Sequence, residues 1–446
     1  MSFGQDRESE QTERLELSPE FYQVVLAAVY HGDGLWGDAT FDLTLRDFPD
    51  GVGYAVVAGV DDAIDRLLRL RVHPADLDWL RRHPEFSAVS AAFYEGLARF
   101  RFSGEVWAMP EGSIVFPGEP ILRITAPIIQ ATLVETLLMR ETGFSISIAT
   151  RASRLADAAG GRDVVDFSAR RHPDNTAARR AARAAYVGGV AATSNLEAAQ
   201  RDGIPSFGTM SQTLLAVYGN EARAYEAFRV HFPSLGNLTL PDDDPREGVK
   251  QFLPFKDSLR AVRIQHHDLV RAAELVREGL DAHGFEAVEI LGSGGLDETQ
   301  LQKIAAAGAP VDRFAIGAAL ADGVPGLAAA VSYRLAEMVR GRAPEPINGV
   351  GSALYPGRKQ VIRQRDRDIL CLETEASLYS GLDGAPMLRP VVINGARVTA
   401  RCPLEEARER RARGVAALDD THRDPVAGRP RVPVISDALA ALALQD

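Results

Sequence analysis

Apolar and polar positions change rhythm twice along the chain. Residues 21–30 (FYQVVLAAVY) carry apolar side chains at helical spacing, and the FDLTLRDF that follows reads as extended. Residues 104–125 (GEVWAMPEGSIVFPGEPILRIT) alternate apolar and polar residues between prolines and glycines, which predicts antiparallel strands and tight turns. From about Ala131 the character shifts. Between 160 and 320, short apolar runs at 163–168, 204–209, 237–240, 261–265, 287–292 and 312–317 alternate with helical stretches. Those stretches, at 176–200, 213–232, 268–283 and 297–307, are rich in Ala, Leu, Glu and Arg. Repeated strand-then-helix units predict a parallel sheet, either a barrel or an open wound sheet, with any active site at the C-terminal strand ends. Beyond Pro344 the chain returns to loops, short strands and one charged helix at 404–415, read as a solvated face.

Composition narrows the field. The 446 residues carry 61 acidic and 50 basic side chains, a net charge of −11, which argues against a general nucleic-acid coat. It leaves small phosphorylated ligands open, since these need only a few well-placed donors. Two cysteines, Cys371 and Cys402, make neither a disulfide framework nor a zinc cluster, so a reducing cytoplasm is expected. Residues 1–18 are polar and mixed in charge and read as a loose tail, and no apolar run reaches the length of a membrane helix.

Five strand ends offer chemistry. Gly292-Ser293-Gly294-Gly295 precedes Asp297, which opens a helix with Gln300 in the capping-box position. One unit later comes Gly317-Ala318-Ala319. Small residues here let backbone N–H groups and a helix N-terminus approach an anion. One such loop is also what a tight turn needs; two in succession point to phosphate. Arg170 and Arg171 follow the strand DVVDFS and supply permanently charged, fork-shaped donors. Gly208-Thr209-Met210-Ser211-Gln212 offers hydroxyls and an amide. In Arg263-Ile264-Gln265-His266-His267-Asp268, adjacent histidines on a strand point to opposite faces, so no metal ligand is assigned and Asp268 is read as a helix cap.

Taken in order, these segments resemble the nicotinate phosphoribosyltransferases, type II phosphoribosyltransferases. The likeness runs from about residue 20 to residue 427 and includes Glu20-Phe21-Tyr22-Gln23, GYAVVAG from Gly53, FSGEVWAMPEGSIVFPGEPILRI, VETLLMRETGFSISIATRASRL, RAAYVGGVAATSN, GIPSFGTM, GSGGLDE, FAIGAAL and YPGRKQVIR. The resemblance implies an irregular β/α barrel with a second α+β domain built from N- and C-terminal segments. The boundaries that follow are a tail at 1–18, an N-terminal domain at 19–130, the barrel at 131–343 and a C-terminal segment at 344–446 packing with the N-terminal domain. It implies the joining of nicotinate to phosphoribosyl pyrophosphate, giving nicotinate mononucleotide and pyrophosphate in NAD biosynthesis or salvage. Mg2+ accompanies the phosphoribosyl donor, usually with coupling to ATP. A cytoplasmic homodimer with shared active sites is implied, with no nucleic-acid or membrane partner.

Carried over by position, Tyr22 from the partner subunit and Phe167 sandwich the pyridine ring, and Thr209 lies in the substrate site. Arg170, Arg171 and Arg263 line the base and pyrophosphate pockets; Arg171, Arg263 and Asp244 are the catalytic candidates. Ser293, Gly294, Gly295, Gly317 and Ala318 hold the 5′-phosphate by backbone N–H groups. Met210 stands where nicotinamide-specific relatives carry an acid, which disfavours nicotinamide.

Three positions depart from the family pattern. Gln212 replaces the histidine that carries the phosphoryl group in ATP coupling. Pro241 replaces an acid, leaving Asp244 in line with the second one. Gln265, His266 and His267 replace another acid and a small residue. The reading preferred here is a divergent phosphoribosyltransferase for nicotinate or a related aromatic acid, uncoupled from ATP. The alternatives are a non-catalytic nucleotide-binding homologue and an enzyme for another base, such as quinolinate or a specialised-metabolite base.

Overall fold

The computed structural model describes residues 19–240, 245–341, 343–348, 355–381 and 384–444. The tail at 1–18 and the candidate Asp244, with Pro241, lie outside the described residues.

The strand-then-helix units build one parallel sheet. Its strands are β1 (Asp163–Asp166), β2 (Ala192–Thr193), β3 (Asn237–Thr239), β4 (Ala261–Gln265), β5 (Glu289–Ser293) and β6 (Arg313–Ile316). They lie side by side in the order β2-β1-β6-β5-β4-β3. Segment 204–210 closes the curl. On one side Thr193 N–H donates to the Pro205 carbonyl and Phe207 N–H to that of Thr193, both at 2.9 Å. On the other, Met210 N–H donates to the Asn237 carbonyl at 3.0 Å and Asn237 Nδ2 to that of Gly208 at 3.0 Å. The result is an irregular barrel, one of the two architectures its periodicity allows.

Two stretches read as single helices are each broken. Asn175–Val187 and Leu196–Asp202 flank β2, because Gly189 adopts φ +107° and Asn195 accepts from Ala198 N–H to start the second helix. Gln212–Tyr218 and Glu221–His231 part at Gly219 (φ +57°), after which Asn220 caps by accepting from Arg223 N–H. Single Gly and Asn residues stop helices by backbone conformation and capping, which an Ala- and Arg-rich composition hides.

Both chain ends share the second sheet. Its seven strands run in the order Ala343–Pro346, Val331–Arg340, Asp38–Leu45, Pro120–Pro127, Glu105–Ala108, Arg389–Ile393 and Ala396–Arg397. Every neighbouring pair is antiparallel. Val331–Arg340 follows the last barrel unit yet pairs here, with the Phe41 and Tyr333 rings stacked at 4.7 Å. The long helix Glu135–Ala158 serves both cores. Leu137, Leu138 and Ile146 pack with this sheet, while Ile148, Ala149, Ala152 and Leu155 pack with the barrel.

The charged helix, Leu404–Ala416, corrects its sequence reading as a solvated face. Arg411 is buried, donating to Ser153 Oγ and Asp157 Oδ1 at 2.7 Å each. Arg410 reaches the Glu111 carbonyl. The backbone of this helix presses so close that a Cβ on Gly112 would meet the Ala407 carbonyl oxygen at 1.9 Å. The arginines are there to join the C-terminal segment to the rest of the chain.

A second buried charge cluster gives a pH signature. Glu119 and Asp368 are both buried around Arg363, at 3.1 and 2.8 Å. Burial, with the Asp368 charge added and Arg363 opposing, pushes the Glu119 carboxyl up to about 7. The folded chain therefore holds a proton there that the unfolded chain has already released. This group's contribution to stability is full below its ordinary value of 4.5 and is lost as pH rises through about 7. Glu119→Gln should flatten the fall in unfolding temperature between pH 5 and 7.5, read by calorimetry at several pH values; an unchanged slope would sink the assignment.

Among the described residues, no helix is long and apolar enough to cross a membrane. Cys371 and Cys402 are free thiols.

Candidate active site

The C-terminal ends of β1, β4, β5 and β6 meet at the barrel mouth. Asp166 ends β1 with no exposed surface, accepting from Ser168 N–H and Thr193 Oγ1, both at 2.7 Å. These bonds brace the turn that presents Phe167 and the short 3-10 helix Ala169–Arg171. Phe167 N–H donates to the Ile316 carbonyl at 2.8 Å, which joins this turn to the end of β6. Arg170 and Arg171 are exposed there.

Arg263, on β4, lies across the mouth. Its Nε donates to Ser293 Oγ at 2.9 Å, its Nη2 to Gln265 Oε1 at 3.3 Å, and its guanidinium sits 5.9 Å from the Phe167 ring centre. Burial and the neighbouring Arg170 charge lower its pKa. None of Arg170, Arg171 and Arg263 has a carboxylate partner among the described residues. A protein of net charge −11 thus keeps a cationic mouth.

The small-residue loops frame this charge. Gly294 has φ +97°, and a Cβ there would lie 2.6 Å from Gln265 Cγ; Gly295 has φ +61° with nothing within 4 Å. A Cβ on Gly317 would sit 3.1 Å from the Phe167 carbonyl oxygen and 3.2 Å from Arg171 Nε. Ala318 is exposed and starts the helix Ala318–Asp322. Phe167, Arg171, Arg263, Ser293, Gly294 and Gly317 are therefore brought together by direct contacts or near contacts. Ser293 is buried, and its hydroxyl accepts from Arg263 and donates to the Ile264 carbonyl at 3.0 Å, so the side chain positions the guanidinium and the expected phosphate contact rests on the backbone N–H alone.

Other expected residues fall elsewhere. Tyr22 is 44% exposed on the helix Phe21–Gly32, its hydroxyl accepting from Gln23 Nε2 at 3.2 Å. It makes no ring contact with Phe167, whose aromatic neighbour is Phe207 at 6.4 Å. Thr209 is half-buried beside Met210, which is 1% exposed and packs in the barrel core. Gln212 is exposed at the first position of Gln212–Tyr218. His266 and His267 lie beyond the end of β4 at Gln265, so they do not alternate across a strand as expected. Their rings sit 4.1 Å apart at a 36° tilt, Asp268 N–H donates to His266 Nδ1 at 3.0 Å, and Asp268 caps Leu269–Ala282 as read. Asp166 was not singled out from sequence. An Asp two residues before a Ser at a strand end is a legible turn signal, but its burial is not.

The comparisons fit this geometry. The profile of the nicotinate phosphoribosyltransferase (NAPRTase) N-terminal domain matches residues 17–141. Over 409 residues the chain is 36% identical to nicotinate phosphoribosyltransferase pncB2 of Mycobacterium tuberculosis, covering 90% of this chain and 87% of that protein. The chain belongs to the nicotinate phosphoribosyltransferase family. Nicotinate phosphoribosyltransferase of Bacillus subtilis is 31% identical over 360 residues, 78% of this chain and 73% of that one. Two solved structures share the fold. Human nicotinic acid phosphoribosyltransferase aligns with a TM-score of 0.79 at 22% identity, covering 95% of this chain and 98% of that one. Nicotinate-nucleotide pyrophosphorylase of Pyrococcus furiosus aligns with 0.75 at 24%, covering 94% and 100%.

The guanidinium and backbone N–H groups at this mouth are anion ligands. Among the described residues no cluster of three or more His, Cys, Asp or Glu side chains is placed to hold a metal.

Proposed function

We propose that this chain joins nicotinate to phosphoribosyl pyrophosphate, yielding nicotinate mononucleotide and pyrophosphate in NAD biosynthesis or salvage. The observation that carries the reading is the guanidinium of Arg263, without a carboxylate partner among the described residues, held against Ser293 and facing Phe167 across the barrel mouth in a member of this family. The pyridine nitrogen adds to C1 of the ribose as the C1–oxygen bond breaks, and the electron pair leaves with pyrophosphate. Arg171 and Arg263 neutralise that departing charge while the Phe167 ring holds the pyridine in line. Backbone N–H groups of Gly294, Gly295, Gly317 and Ala318 receive the 5′-phosphate. Magnesium, when bound with the donor, would supply further neutralisation of the departing pyrophosphate beside Arg171 and Arg263. The amide of Gln212 cannot carry a phosphoryl group as an imidazole does, so turnover proceeds without phosphoryl transfer at that position.

Exposed Tyr22 fits a homodimer in which the partner subunit's Tyr22 covers the second face of the base. Mixing Tyr22→Ala and Arg263→Ala subunits should restore about a quarter of wild-type activity, since half of the dimers then hold one intact site. No recovery would rule out sharing. The function itself is tested with nicotinate and phosphoribosyl pyrophosphate, with and without ATP, following pyrophosphate and the mass of the product. One pyrophosphate per nicotinate mononucleotide, unaffected by ATP, is expected. Absence of the mononucleotide would refute the assignment, and ATP stimulation would refute the uncoupled form of it.

A further inference from the structure

A cleft of about 490 Å³, lined by none of the residues of the barrel mouth, opens between the helices Val60–Arg69 and Asn175–Val187 and segment 401–404. Seven arginines and three acids line it. Six of the seven arginines have a carboxylate partner, four of them one other than Glu141. Arg183 pairs with Glu111 at 2.7 Å, and Arg179 with Asp202 at 2.8 Å. Arg401 pairs with Asp62 at 2.5 Å and also with Asp65, and Arg201 with Glu197 at 3.3 Å.

The remainder are short of negative charge. Arg180, at 3.0 Å, and Arg140 on the flank, at 3.4 Å, both depend on the fully buried Glu141, which also takes Arg66 at 3.0 Å. Arg180 Nε is buried without a hydrogen-bond partner. Arg69 is exposed, and among the described residues its partner is a backbone oxygen, that of Asp65 at 3.1 Å. The seven lining arginines and Arg140 on the flank meet six carboxylates among the described residues, those of Asp62, Asp65, Glu111, Glu141, Glu197 and Asp202, so two positive charges are in excess. Arg69 and Arg140 are solvated, but Arg180 is mostly buried and shares Glu141 with two other arginines, so it carries a desolvation cost that a bound anion would offset.

The lining also says what is recognised. No aromatic ring faces the cleft, and Leu404 is its one large apolar residue, so neither a nucleobase nor a pyridine has a surface to stack on. The space is of the size of a small-molecule site, several times that of a single phosphate. Arginine forks spread around such a space suit a run of adjacent phosphates.

We infer that this cleft is a second anion site, separate from the barrel mouth, that takes a ligand carrying two or more linked phosphates. Two sources share that chemistry: a free short polyphosphate and the tail of a nucleoside triphosphate. Calorimetric titration of the full chain with tripolyphosphate at low salt should resolve two binding events. The double variant Arg69→Glu/Arg201→Glu should weaken one event at least tenfold. Both residues are exposed, so the fold and kcat/KM for mononucleotide formation should stay within about twofold. Arg171→Ala should remove the other event alone. A parallel titration with ATP separates the sources. Equal affinity at the surviving cleft event in Arg171→Ala marks a nucleotide tail, and tenfold weaker binding marks free polyphosphate. A single event abolished by Arg171→Ala, or two events untouched by Arg69→Glu/Arg201→Glu, would overturn the inference.

Discussion

Alanine at position 263 should lower kcat/KM for mononucleotide formation by roughly 10²–10³-fold, the usual loss when one preorganised donor to developing charge is removed. The same change should leave the unfolding temperature nearly unmoved. The guanidinium contacts neutral atoms, Ser293 Oγ and Gln265 Oε1, and feels the like charge of Arg170. Among the described residues, deleting it strands no carboxylate. Arg183→Ala is the contrast, because Arg183 is bonded at 2.7 and 3.2 Å to the buried Glu111. Losing one partner of such a pair costs about 3–5 kcal/mol. Arg263→Lys keeps a charge but loses the fork that Ser293 and Gln265 jointly hold, so it should recover only part of the rate. Steady-state kinetics beside thermal unfolding read both quantities. Activity within threefold of wild type in Arg263→Ala would remove Arg263 from the mechanism.

Valine at position 294 should raise KM for phosphoribosyl pyrophosphate by more than a hundredfold, an effect of roughly 3 kcal/mol or more. Two penalties combine there. A φ of +97° is poorly tolerated by a β-branched residue, and its Cβ would fall 2.6 Å from Gln265 Cγ, an atom of the side chain that steadies Arg263. The loop must move, and the N–H groups assigned to the 5′-phosphate move with it. Gly295→Ala sets the scale. Its φ of +61° is also left-handed, yet nothing lies within 4 Å, so only local strain of about 1–2 kcal/mol is expected. If Gly294→Val bound the donor as tightly as wild type, the phosphate loop would be misassigned.

The site was legible where its chemistry sits in local sequence. Glycines at successive strand ends and paired arginines after DVVDFS gave the expectation of a phosphate site, and the structure sets Arg171 against Gly317 and Arg263 against Ser293. What could not be read was how side chains divide their bonds. The Ser293 hydroxyl is occupied on both sides by Arg263 and Ile264, a fact that depends on the register of β4 against β5. The fold followed the same rule. Alternating units gave the parallel sheet, while single residues such as Gly219 and Asn195 broke helices that composition had run together. The helix from Leu404 misled because its charges pair with distant partners, Arg411 with Asp157 across most of the chain, and nothing local marks such a pair.

The mixed sheet bears on how this chain is made. Asp38–Leu45 waits for Val331–Arg340, and Glu105–Ala108 for Arg389–Ile393, before either has its outer neighbour. On a ribosome adding about 5–20 residues per second, an early strand stays half-paired for tens of seconds while the barrel between them emerges. During that interval apolar side chains such as Phe41 and Leu43, destined for this sheet, lack a facing strand. Slow, sequence-distant pairing of this kind exposes a chain to aggregation and to chaperone capture. Nascent-chain proteolysis should find the barrel protected before the N-terminal sheet, although the sheet's first strands are synthesised earlier.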